Sequence, residues 1–385
     1  GPRGGGLYYW DATGGGTTRG VLLNSLGGTA TITIASPAVV TSTVLYTEGA
    51  AISFSTTGAL PTGITAGTTY YVYNVDGLTF QLLDAAGAVV NTSGSQSGTQ
   101  SITPVDIPLV QNSLTVSDTS RFIIVFGTND YGSSTLDPML IRWSNQDDPY
   151  NWTPDATNQA GSYRLSHGSQ IITAVQTRQE ILVFTDAAIY SMQYLGAPYV
   201  WGFQIMGDNI SIMGPNAAIT VNNITYWMGV DKFYSYSGRV ETLPCTLRQY
   251  IYDDINVQQG YQVFAGTNEG YNEIWWFYCS ATSTTVDKYV IYNYLERTWY
   301  YGTMARSSWL DSPLREQPMA TPYAGTNGQL VYHETGNDDG TVDPPLPIDA
   351  YVQSSDFDIG DGHNFGFVWR LIPDITFDGS NTNKP

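Results

Sequence analysis

The sequence predicts an all-β protein: a six-bladed β-propeller with a small β-sandwich or β-barrel domain inserted near its start. Three observations point there. Apolar and aromatic runs of four to seven residues, rich in Val, Ile, Thr, Phe, Tyr and Trp, recur between Gly, Asn, Asp or Pro punctuation, and long helical periodicity is nearly absent. The strongest runs, RFIIVF (121–126), EILVF (180–184), NITYWM (223–228), EIWWFY (273–278) and GQLVYH (328–333), recur at spacings that suggest repeated units. Second runs follow closely at 188–195, 231–237 and 288–294, as expected of antiparallel blades.

Taken in order, residues 1–19 supply the first strand, LYYWD (7–11), which is expected to close a sixth blade with the last segments. Residues 20–110 read as the inserted domain. The stretch 20–120 has no Lys or Arg, and the alternations ATITIA (30–35), AAISFS (50–55), TYYVYNV (69–75) and LTFQLLD (78–84) read as its strands. A compact unit whose ends lie close together can hang from a loop of its host. Residues 111–375 form the propeller body. Residues 376–385 are a polar tail, and the chain reads as a processed product or a portion of a longer one. The tryptophans Trp143, Trp227, Trp275, Trp276 and Trp299 are expected to fill the wedges between sheets, with their indole N–H groups bonded to turns.

Charge limits function. The 385 residues carry 15 Lys plus Arg against 34 Asp plus Glu, a net charge of −19, and only 13% are charged, about half the usual share. That balance excludes a generic polyanion grip, which needs a concentrated basic surface. No run approaches the length of a membrane span. The two cysteines, Cys245 and Cys279, read as buried free thiols.

No catalytic residue and no cofactor is predicted. The three histidines, His167, His333 and His363, lack zinc-site spacing, so no metal is assigned. Asp253, Asp254, Glu269 and Glu273 could supply a glycosidase-like carboxylate pair. The runs 337–343 and 356–362 place oxygen ligands around turns but lack EF-hand spacing, and read as solvated turns.

The segment WSNQDDPYNWTPDATNQAG (143–161), continuing through 167–196, resembles the tail hub, nozzle or packaged-DNA stabilisation proteins of short-tailed bacteriophages. Further likenesses lie at 227–244 and 291–302, and the resemblance spans about 115–375. Its motif and packing positions are Trp143, Asn145, Trp152, Thr173, Phe184, Tyr190, Trp227, Tyr292 and Trp299.

The resemblance implies a virion tail protein: a homo-hexameric ring that meets adaptor or portal-side ring proteins on one side and a needle, plug or fibres on the other. Genomic DNA would pass through its lumen without specific binding. A conduit wall should not hold its cargo, so acids are expected to outnumber bases on the lumen face, with Asp253, Asp254, Asp338 and Asp339 as lining candidates. The alternative reading is a carbohydrate-binding or adhesion tail protein.

Overall fold

The computed structural model describes residues 4–10, 16, 19–23, 28–322, 329–336, 338–339, 344, 346–348, 351, 362–363, 365–370 and 372. The chain divides into two compact units, Gly1–Ala305 and Arg306–Pro385.

The first unit opens with a two-stranded antiparallel ribbon, β1 (Tyr8–Tyr9) and β2 (Val21–Leu22). Leu7 and Leu23 anchor its base, buried with Ile107, Val125 and Trp152. Six strands then close into a barrel: β3 (Thr29–Ile32), β4 (Val40–Ser42), β5 (Ala51–Thr56), β6 (Thr69–Asp76), β7 (Thr79–Leu83) and β8 (Gln100–Pro104), in the order β3-β4-β7-β6-β5-β8. Closure removes the exposed edges that short strands would otherwise present. The alternating residues Ile52 and Phe54, Tyr70 and Val72, and Phe80 and Leu82 fill its interior.

Four separate four-stranded antiparallel sheets follow. The first comprises β9 (Gln111–Val116), β10 (Ile123–Asn129), β11 (Leu136–Trp143) and β12 (Gly161–Arg164). The second comprises β13 (Ile171–Gln176), β14 (Ile181–Thr185), β15 (Ala188–Gly196) and β16 (Val200–Asp208). The third comprises β17 (Ala218–Val221), β18 (Ile224–Met228), β19 (Phe233–Tyr236) and β20 (Val240–Leu243). After a short helix, α1 (Arg248–Asp254), come β21 (Phe264–Asn268), β22 (Glu273–Tyr278), β23 (Lys288–Asn293) and β24 (Thr298–Thr303). Each sheet pairs its strands in sequence order, and the first strand of each touches the first strand of the next.

Burial explains the apolar runs. All five residues of β14 are buried because its sheet is covered on both faces. Leu182 and Phe184 point into one core with Trp227, Phe233 and Trp276, whereas Ile181 and Val183 point into another with Phe122, Ile124 and Met192. The same period of two sorts β22. Ile274, Trp276 and Tyr278 enter the core, while Trp275 and Phe277 stack on the other face with Phe264 and Tyr289.

The second unit holds a three-stranded sheet, β25 (Arg306–Leu310), β26 (Met319–Pro322) and β27 (Val331–Tyr332). It also holds a two-stranded pair, β28 (Asp338–Asp339) and β29 (Leu346–Pro347).

The six-bladed propeller is therefore corrected to an all-β chain of several separate antiparallel sheets, one of them closed into a barrel. Two assignments fail for physical reasons. Tyr8 and Tyr9, expected in a sixth blade, pair instead with Leu22 and Val21 in a two-stranded ribbon. Among the described residues the run 328–333 does not head a four-stranded sheet: its strand is Val331–Tyr332, paired with Ala320 and Met319 of β26 in a three-stranded sheet.

Candidate functional site

The segment 143–161 folds into a self-bonded loop that joins the barrel to the first four-stranded sheet. Trp143 ends β11 and donates its indole N–H to the Gln159 carbonyl at 2.8 Å, closing the loop on itself. Asn145 holds the interior: its backbone N–H reaches the Asn151 carbonyl at 2.7 Å, and its side-chain oxygen accepts from Gln159 N–H at 3.0 Å. Trp152 is wholly buried, with Nε1 donating to the Pro149 carbonyl at 2.8 Å.

From this loop three side chains grip the barrel and its exit. Asp148 Oδ2 accepts from the Thr47 hydroxyl, Asn151 Nδ2 donates to the Glu48 carbonyl at 3.2 Å, and Thr153 donates to Asp106 Oδ2 at 2.8 Å. Below them lies Arg142, whose exposure is 0%. Its guanidinium donates to the carbonyls of Asn129 and Asp106 and sits 3.9 Å from the Tyr131 ring centroid. Burial lowers its pKa, and the Tyr131 and Asp106 groups oppose that shift. An arginine can be accommodated there because its planar fork satisfies two carbonyls at once.

The remaining motif residues are also packing elements. Thr173 and Phe184 are buried. Tyr190 accepts from His167 N–H at 2.9 Å through its hydroxyl, and Trp227 stacks on Tyr234. Tyr292 lies against Trp299, whose indole donates to the Pro244 carbonyl at 2.9 Å.

Asp253 and Asp254, adjacent on α1, differ in their surroundings. Asp253 is exposed on α1, whereas Asp254 pairs with Lys288 at 2.9 Å and accepts from Tyr278. Asp338 is exposed in the second unit, and the side chain of Asp339 lies outside the described residues. Glu273, offered as half of a carboxylate pair, accepts from the Trp275 indole at 3.0 Å. The calcium-like runs 337–343 and 356–362 lie largely outside the described residues. Among the described residues no group of three or more His, Cys, Asp or Glu could hold a metal ion, and no helix is long and apolar enough to cross a membrane. Both cysteines are free thiols. Cys279 is buried and Cys245 half-buried.

One feature escaped the sequence. A pocket of about 230 Å³ opens where three hairpin turns meet: 177–180 between β13 and β14, Asn222–Asn223 between β17 and β18, and Ser237–Gly238 between β19 and β20. Glu180 supplies its carboxylate. Oε1 accepts from the Tyr236 hydroxyl at 2.8 Å, and Oε2 accepts from Ser191 and from Gln193 at 3.2 Å. Burial, then the neighbouring carboxylate, raises the Tyr236 pKa. The turn signals Asn-Asn and Ser-Gly are plain in the sequence, but their convergence depends on how neighbouring sheets stand together.

No protein-family model and no curated protein matches the chain. Among solved structures, the chain is similar to one described as the extracellular domain of a one-component system from B. thetaiotaomicron, at 9% identity and a TM-score of 0.36. The match covers 79% of this chain and 35% of that one, so the chain spans about a third of that structure's length. A likeness this slight carries no argument about function.

Proposed function

We propose that the chain is a structural subunit of a short phage tail, a hub or nozzle protein whose copies join into a hexameric ring through which the genome is retained and then ejected. The reading rests first on the sequence resemblance centred on 143–161. The observation that carries it further is where the basic groups go. Among the described residues, carboxylates engage Arg121 (Asp147), Arg164 (Asp137), Arg239 (Glu241), Arg248 (Asp231) and Lys288 (Asp254). A sixth, Arg142, is buried.

The first strands of the four sheets, β9, β13, β17 and β21, carry no charged residue. Strands without charged side chains offer phosphates little to hold, which is in keeping with a wall past which DNA must slide. The loop that carries the resemblance acts as a joint rather than a reactive centre, in keeping with a structural role.

The test is an electrophoretic mobility shift of the purified full chain with duplex DNA at about 50 mM salt, where phosphate contacts are strongest. The reading expects no complex at protein concentrations up to about 10⁻⁴ M, the weak end of non-specific binding. Salt-sensitive micromolar binding would contradict it.

A further inference from the structure

The pocket at the three turns combines a fixed acceptor with uncommitted amides. Glu180 is half-buried and lines the pocket, and its three hydrogen bonds leave acceptor capacity on Oε1 unspent within the chain. Among the described residues no Lys or Arg forms an ion pair with it. Around it, the side chains of Gln179, Asn222, Asn223 and Ser237 line the pocket with their hydrogen-bonding groups unspent within the chain.

The ligand class follows from this inventory. An uncompensated carboxylate with no cation in the lining rejects phosphate, sulfate and carboxylate groups. Among the described residues no group of three His, Cys, Asp or Glu gathers here, and a single carboxylate leaves most of a divalent ion's charge unbalanced. Amides both donate and accept, and a carboxylate accepts; together they match adjacent hydroxyls, each of which does both. The volume of about 230 Å³ lies below that of drug-sized sites, which leaves room for a single ring.

We infer that this pocket binds one neutral sugar ring, at the end of a glycan chain, with Glu180 accepting from one hydroxyl and the Asn222–Asn223 turn bonding its neighbours. The inference stands apart from the ring proposal, since it concerns a surface that a monomer presents equally well.

Asn222 and Asn223 both adopt positive φ, +50° and +65°. Glycine keeps that turn while deleting the amide, so Asn223→Gly and Asn222→Gly test the pocket without disturbing the fold. The full chain is titrated by NMR with methyl glycosides of neutral hexoses, and screened on an array of neutral, sialylated and sulfated glycans. The expected result is saturable binding of a neutral glycoside at roughly millimolar strength, weakened about tenfold or more in Asn223→Gly at unchanged melting temperature. Absence of saturable binding by any neutral glycoside, a preference for sialylated or sulfated glycans, or undiminished binding in both glycine variants would overturn the inference.

Discussion

The hydroxyl of Thr47 donates to Oδ2 of Asp148, a hydrogen bond that spans 101 residues of sequence and fastens the barrel to the loop after β11. Asp148 is buried, and its other oxygen accepts from Tyr150 N–H at 2.9 Å, so the carboxylate organises its own loop while holding the barrel. Asn151, also buried, adds the bond to Glu48. Removing either side chain breaks its bonds to the barrel and leaves a void where a buried polar group was packed. Asp148→Ala and Asn151→Ala should each destabilise the chain by about 1–3 kcal/mol. Urea denaturation reads the loss. Limited proteolysis should also cleave the 105–110 connection faster in both variants, and unchanged cleavage would show that the joint does not hold the barrel.

Gly161 faces Trp143 across the β11–β12 ladder, and a Cβ added there would lie 2.6 Å from the indole Cζ2. The indole is tethered by its bond to Gln159, so it has little freedom to withdraw. Gly161→Ala is expected to cost about 1–3 kcal/mol through overpacking. Thermal unfolding measures the loss, and tryptophan fluorescence should report a displaced Trp143. A variant as stable as the parent would mean the ring moves freely.

His333 provides a pH-dependent prediction for the second unit. Burial, then the charge of Arg306, lowers its pKa from 6.5 to about 4. Arg306 Nε donates to His333 Nε2 at 3.1 Å, a bond that requires the neutral ring, and the imidazole lies 4.6 Å from Trp309. Because the folded pKa is depressed, the unfolded chain binds more protons between about pH 4 and 6.5. This contribution to stability is complete above pH 6.5 and is lost as pH falls through that window. An NMR titration should place the His333 midpoint below 5, and a midpoint near 6.5 would contradict the packing.

Burial pushes the Cys279 thiol up to about 11 and the Cys245 thiol up to about 12. At pH 8 both therefore remain protonated and poorly nucleophilic. A disulfide-exchange reagent should label neither cysteine quickly in the native chain and both quickly in urea. Rapid native labelling would show that the strands around them open.

Local pattern made individual strands legible and left their assembly obscure. The run EIWWFY (273–278) is β22, and EILVF (180–184) overlaps β14 almost completely, because apolar β-formers between turn residues need no tertiary information to extend. The number of complete sheets depended on partners far away. Tyr8 and Tyr9 read equally well as a missing blade strand, yet Leu7 and Leu23 bury together and fix them against β2. The motif residues Trp143 and Trp152 stood out as aromatics in a polar loop, but their role as a joint rests on Thr47 and Glu48, which no local spacing connects to them. Glu180 was visible only as the start of a strand. Its pocket exists because β18 and β19 bring Asn223 and Tyr236 beside it.

The most direct measurement of the central claim is cryo-electron microscopy of the purified chain, with its mass determined in solution. The account predicts six copies closed around an axial opening wide enough for duplex DNA, with acidic side chains outnumbering basic ones on its wall. A solitary chain, or an opening lined mainly by arginine and lysine, would contradict it.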